Sequence, residues 1–279
     1  MPSSSRPKSP CNVCSSQRLI GGTILTARSI LASCRNGPLP ASHGPAVAVL
    51  ADERTIYEVM KIKRIPTGFI IPAQPVVALR PPSGANWVDE IKHDGYRLIV
   101  RRDGSTVRLY TRNANDLTAR LQAIAAAAER INAKSFTIDG EAVVVGPDGL
   151  SRFEDLRRRE AAHNAILYAF DLIEHDGEDL RDRLFLERKT ALARLLRNTE
   201  AGILLNEHVA EDGPTVFAHA CRLGAEGIVS KRVDGTYRSG PCPVWIKVRN
   251  PASVAVQRER SENWNRWSGN GDLPTSHWS

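Results

Sequence analysis

Three short runs between Trp87 and Thr111 constrain the fold more than any other feature of this 279-residue chain. Trp87–Lys92, Tyr96–Arg102 and Thr106–Thr111 have strand length and partial apolar–polar alternation, and Asp103-Gly104 between the last two is a hairpin turn signal. Such a start predicts antiparallel sheet. Leu117–Ile131 is Ala-rich and predicts a helix. Phe136–Val145 predicts a strand that stops at the turn Gly146-Pro147-Asp148-Gly149. Ala165–Ile173 is a mostly apolar run of the kind that forms a buried strand. Leu180–Leu196 and Pro214–Leu223 have helical spacing, and short strands are expected around Ile228 and over Trp245–Val248. The sum is an α+β domain of antiparallel sheets with peripheral helices. No internal repeat is visible.

This domain is expected over residues 67–250, between a basic extension at 1–66 and a polar tail at 251–279. The formal net charge of +7 points to a polyanionic partner, but five of the seven excess charges fall in residues 1–51, which hold no acid at all. With only +2 left for the rest, any nucleic-acid surface must come from local clustering. The Ser-, Pro- and Arg-rich opening predicts disorder and also has the composition of a transit peptide. The five cysteines, Cys11, Cys14, Cys34, Cys221 and Cys242, are odd in number and irregularly spaced, so they predict a reducing, cytoplasmic setting rather than a disulfide framework. Cys11-x-x-Cys14 could open a metal site with Cys34 and His43, but no second CxxC supports it. No apolar run is long enough to span a bilayer, and no membrane partner is expected.

The chemistry concentrates at Glu90-Ile91-Lys92-His93-Asp94-Gly95-Tyr96-Arg97, immediately after a predicted strand. A lysine becomes a nucleophile only when its amine is neutral, and desolvation or neighbouring cations bring that about. Such an amine can attack the α-phosphate of a nucleotide and form a phosphoramidate. Gly95 allows backbone to lie close to a ligand, and the planar fork of Arg97 suits phosphate or ribose oxygens. The bland reading of the same residues is a Lys-Asp pair at a β-turn.

Five further motifs follow in order: Thr111-Arg112-Asn113, Thr137-Ile138-Asp139-Gly140-Glu141, Tyr168 to Ile173, Glu226 to Arg232, and Trp245-Ile246-Lys247-Val248-Arg249. The set resembles the covalent nucleotidyltransferase superfamily of ATP-dependent DNA ligases, RNA ligases and capping enzymes. Its closest likeness, over residues 68–250, is to the adenylation domain of bacterial end-joining ligases of the ligase D type. The segment Phe170–Leu180 and Ser230-Lys231-Arg232 followed by Tyr237-Arg238-Ser239-Gly240 carry the DNA-ligase flavour. The resemblance implies an ATP-grasp-like adenylation fold, with ATP and Mg²⁺ (or Mn²⁺) as cofactors. It implies nicked or broken double-stranded DNA as substrate, in repair by non-homologous end joining. It makes Lys92 the nucleophile, with Lys231 and Lys247 around the α-phosphate. Glu90 and the backbone at Ile91 would read the adenine edge, and Phe170 would stack on the base. Arg97, Arg112 and Glu141 would contact ribose and phosphate, with Arg249 assisting. Asp94 and Glu226 would be the divalent-metal ligands, since Mg²⁺ prefers carboxylate oxygen. Asp139 reads as structural and His93 as incidental.

Two departures stand out. Ala114 occupies a position where the family usually has Gly, at a cost of order ~1 kcal/mol if its backbone is left-handed. The 29 residues after Asn250 are too few for the five-stranded OB-fold that normally follows this domain. An OB-fold is therefore expected to be absent from this stretch, and a partner supplying one, or end-joining factors, becomes part of the expectation. A module that binds nucleotide or DNA without completing ligation is one alternative, and an RNA ligase or capping-type enzyme is another.

Overall fold

Strand β2 (Trp87–Lys92), the first of the predicted strands, lies inside a five-stranded sheet ordered β1-β11-β10-β2-β9. The other strands of this sheet are β1 (Ala73–Val77), β9 (His208–Val209), β10 (Gly227–Arg232) and β11 (Gly240–Arg249). The second sheet runs β4-β3-β5-β6-β7 with β8 added beside β6. Its strands are β3 (Tyr96–Asp103), β4 (Thr106–Thr111), β5 (Ser135–Val143), β6 (Ile166–His175), β7 (Glu178–Asp179) and β8 (Ile203–Leu205). This computed structural model describes Pro66 and residues 68–158, 161–199 and 201–268. Apart from Pro66, the predicted extension 1–66, with Cys11, Cys14, Cys34 and His43, lies outside the described residues. No helix among those residues is long and apolar enough to cross a membrane.

The expected antiparallel pairing holds for most neighbours, including the β3–β4 hairpin, but β1–β11 and β6–β8 pair in parallel. Helix α1 (Gln122–Arg130) starts later than its Ala-rich composition predicts. Leu117 and Thr118 are diverted to β4, where Leu117 N–H donates to the Leu109 carbonyl and Thr118 Oγ1 accepts from Leu109 N–H. Helix α2 (Phe153–Arg157) follows the predicted Gly146–Gly149 turn. Helix α3 (Phe185–Leu196) starts at Phe185 rather than Leu180, whose N–H is instead given to the Ile173 carbonyl of β6. Its first turn is closed by Leu184 N–H donating to Glu187 Oε2 at 3.3 Å, one half of a capping box. Helix α4 (Gly213–Arg222) has Pro214 in its first turn, where the missing N–H costs nothing. Within the stretch predicted to be a polar tail, Val254–Ser268 forms helix α5.

Three apolar layers hold these elements. Leu98, Val100, Leu109, Phe136, Ile138 and Leu172 pack the outer face of the second sheet against α1 and α3. Val216, Ala220, Ile228 and Val248 seal α4 to the outer face of the first sheet. Ile99, Tyr110, Ile173, Tyr237 and Trp245 join the two inner faces. Each large apolar side chain buried this way contributes roughly 1.5–3 kcal/mol.

Candidate active site

Side chains alternate along a strand, so register decides which of them share a face. On β2, Glu90 and Lys92 point the same way. Lys92 is opposite Gly227 of β10, and Glu90 is opposite Val229. Gly227 and Val229 are in turn opposite Arg249 and Lys247 of β11, and Lys231 is opposite Trp245. Glu90, Lys92, Lys231, Lys247 and Arg249 therefore share one face. The inner face of the other sheet presents Arg97 and Glu141, which are opposite each other on β3 and β5, and Phe170 of β6.

These residues fall into two groups. Around Lys92, the ammonium donates to Glu226 Oε2 at 2.5 Å. Burial pushes the Glu226 carboxyl above its ordinary range, and Lys92 partly opposes this. Glu141 also faces Lys92 and is pushed up to about 7, chiefly by burial. Lys247 is held below its ordinary value by burial and by the positive charges of Arg249 and Lys92. The second group centres on Glu90. Its Oε1 accepts from Lys189 Nζ at 2.6 Å, and its Oε2 pairs with Lys231 Nζ at 2.7 Å. Lys231 is almost wholly buried, with Nζ 4.1 Å from the centre of the Trp245 ring and 4.5 Å from that of Phe170. Burial lowers it to about 8. Lys231 thus stands on Glu90 and the aromatic rings, on the face that also carries Lys92.

Arg97, on the inner face of the second sheet, is held by Asp139, through bonds of 2.9 and 2.6 Å, beneath the Phe170 ring. Asp139 also accepts from the Tyr237 hydroxyl at 2.7 Å, which fits the structural role read from its position. Ile91 enters through its backbone, with its carbonyl accepting from Asn206 Nδ2 at 3.2 Å. Arg112 is exposed in the turn after β4 and does not join either group. Two expected site residues are engaged by α5. Asp94 accepts both guanidinium nitrogens of Arg258, at 2.9 and 2.8 Å, and Arg249 donates to Glu259 at 2.7 Å.

Asp94 and Glu226 have the oxygen chemistry that Mg²⁺ takes, and Mg²⁺ commonly uses one or two carboxylates beside substrate phosphates. Among the described residues no cluster of three or more His, Cys, Asp or Glu forms a protein cage for a metal. The pair fits a phosphate-assisted site, provided Arg258 and Lys92 give up their carboxylates.

Sequence reasoning missed three residues. Lys189 occupies a place in the otherwise apolar stripe Phe185, Lys189, Leu192, Leu196 of α3, and a cation there was the available signal. Asn206, between β8 and β9, carried none. His93, read as incidental, stacks on Tyr168 with ring centroids 3.9 Å apart and interplanar angle 2°. Its ring nitrogens meet Ser151 Oγ at 3.3 Å and Asn206 Oδ1 at 3.1 Å, and burial lowers it to about 4, keeping it neutral.

A family model described as ATP-dependent DNA ligase domain matches residues 73–249. The multifunctional non-homologous end joining protein LigD of Pseudomonas aeruginosa is 38% identical over 185 residues, covering 65% of this chain and 22% of that protein. The end joining DNA repair protein LigD of Mycobacterium tuberculosis is 33% identical over 192 residues, covering 68% of this chain and 25% of that protein. The chain thus spans about a quarter of the length of these curated relatives. A solved structure of mycobacterial DNA ligase D complexed with ATP and MES superposes with a TM-score of 0.59 at 30% identity, over 64% of this chain and 60% of that one.

Proposed function

The chain belongs to the ATP-dependent DNA ligase domain family, and on that premise we propose that the facing sides of its two sheets bind ATP and transfer AMP through Lys92 to DNA. Residues 67–250 form the adenylating unit. Lys92 Nζ attacks the α-phosphorus, a nitrogen–phosphorus bond forms, and the bond to the bridging oxygen breaks to release pyrophosphate. The observation that carries this reading is the placement of Lys92 with Glu226 2.5 Å from its amine, which gives the departing proton an acceptor. Lys247 and Arg249, on the same face, offset the charge that gathers on the phosphate in the transition state. Mg²⁺ or Mn²⁺, when bound near Asp94 and Glu226, would neutralise triphosphate charge. Phe170 and Glu90 receive the adenine, and Arg97, locked by Asp139, borders it. AMP then passes to the 5′-phosphate of a nick or break in duplex DNA, and the 3′-hydroxyl displaces it. We place this sealing half of the cycle in the cytoplasm, where Cys221 and Cys242 stay free thiols.

Incubation with α-labelled ATP and Mg²⁺ tests the first step. Covalent label that survives denaturation, and is absent from Lys92→Ala, is expected. An unlabelled but folded wild type, even with pyrophosphatase present, would refute it. A second reading has one observation in its favour: α5 engages both Asp94 and Arg249. On that reading the chain binds nucleotide without completing ligation, and label forms but is never passed to nicked DNA.

A further inference from the structure

Glu90 sits in a built network that the AMP-transfer chemistry does not require. Lys189 reaches it from α3 and also donates to the backbone carbonyls of Asn206 and, at 3.4 Å, Phe170. Lys231 reaches its other oxygen from β10. The Asn206 side-chain amide lies 3.5 Å from Glu90 Oε2 and 3.2 Å from the Ile91 carbonyl, so one side chain spans both groups of the expected base-reading edge. Asn206 presents its oxygen to His93 Nε2, which makes that nitrogen the donor and leaves Nδ1 to accept from the Ser151 hydroxyl. Tyr168, stacked flat on His93, fixes the ring plane. Donors thus run in one direction, from Ser151 through His93 and Asn206 to Glu90 and Ile91.

We infer that Lys189, Asn206 and His93 are positioning residues that hold Glu90 and the Ile91 carbonyl as an acceptor-only edge, selecting a 6-aminopurine nucleotide over a 6-oxopurine one. This rests on the reading above that Glu90 faces the base. A carboxylate engaged by two lysines, and a carbonyl, can only accept hydrogen bonds. The 6-amino group of adenine donates to such an edge, whereas the 6-oxo group of hypoxanthine meets it with lone pairs. Sites that leave a buried polar group unpaired against the wrong ligand discriminate strongly. With the Lys189 contact gone, the carboxylate is no longer fixed in one rotamer. With the His93 donor gone, the Asn206 amide is free to flip and present its oxygen to the Ile91 carbonyl.

The test measures binding of ATP and of ITP to the full chain, in wild type, Glu90→Gln, Lys189→Met, His93→Leu and His93→Gln, with thermal melts to verify folding. Wild type is expected to favour ATP, and Lys189→Met and His93→Leu to lose about tenfold or more of that preference. His93→Gln, whose amide nitrogen can still donate to Asn206, should keep most of it. A merely structural role would weaken both nucleotides alike and leave their ratio unchanged. If Glu90→Gln leaves the ratio unchanged, the base-facing assignment of Glu90 fails. If Glu90→Gln changes it while folded Lys189→Met and His93→Leu do not, the positioning role fails and the assignment stands. A folded wild type that binds neither nucleotide overturns both.

Discussion

Ala114→Gly should stabilise the protein, and the reason lies in one turn. Ala114 has φ of 58°, in the left-handed region. Its neighbours hold it there: Ala114 N–H donates to the Thr111 carbonyl at 2.8 Å, Thr111 N–H to the Asn115 carbonyl at 2.9 Å, and Asn115 N–H to Thr111 Oγ1 at 3.1 Å. The left-handed conformation costs an L-residue about 1–2 kcal/mol. Glycine removes that cost but brings roughly 0.5–1 kcal/mol of extra backbone entropy to the unfolded chain. Loss of the half-buried methyl takes away a further ~0.4 kcal/mol, half the value for a fully buried carbon. The balance is a gain of about 0.4 kcal/mol, or ~1–2 °C in Tm for a domain of this size. Ala114→Val adds a β-branched side chain where φ is positive and should lose about 1–2 kcal/mol. Circular-dichroism melts of the three proteins are expected to rank Gly above Ala above Val. A Gly variant that melts several degrees lower, with Val equal to wild type, would refute the argument.

Three other outcomes follow from the site. The Glu141 carboxyl, raised from 4.5 to about 7 by burial, contributes stability that is complete below about 4.5 and lost as pH rises through about 7. Urea midpoints taken between pH 5 and 8 should therefore fall with pH more steeply in wild type than in Glu141→Gln. Gly95→Ala places a Cβ 2.0 Å from the Ala142 carbonyl oxygen of β5, so the segment carrying Lys92 and Asp94 must shift. A loss of about 1–3 kcal/mol in chemical denaturation is expected, with reduced AMP labelling. Arg258→Ala removes both hydrogen bonds to Asp94, a pair only 22% and 16% exposed, and should cost roughly 1.5 kcal/mol in thermal stability. The same variant should reach half-maximal labelling at a lower Mn²⁺ concentration, because Asp94 is released. An unchanged Mn²⁺ midpoint would mean that Asp94 is not a metal ligand.

By itself the sequence determined the strands on either side of Lys92, the Asp103-Gly104 hairpin, the family motifs, and Ala114 as the one position that would be strained if its backbone were left-handed. These are short-range properties: alternation, turn chemistry and a residue type at a fixed place in a motif. Element ends were less legible where distant partners intervened, as at Leu117, drawn to β4, and Leu180, which precedes α3. The site was legible as a set of residues but not as an arrangement. Placing Lys231 on Glu90 requires the register of β10 on β2, and locking Arg97 to Asp139 requires that of β3 on β5. Lys189 meets Glu90 across 99 positions, and Arg258 meets Asp94 across 164. No local pattern encodes such pairings, because each exists only after long-range strand pairing has fixed where the two backbones lie. Tertiary structure alone therefore decided that the polar segment after Asn250 would turn back as α5 onto two of the candidate site residues.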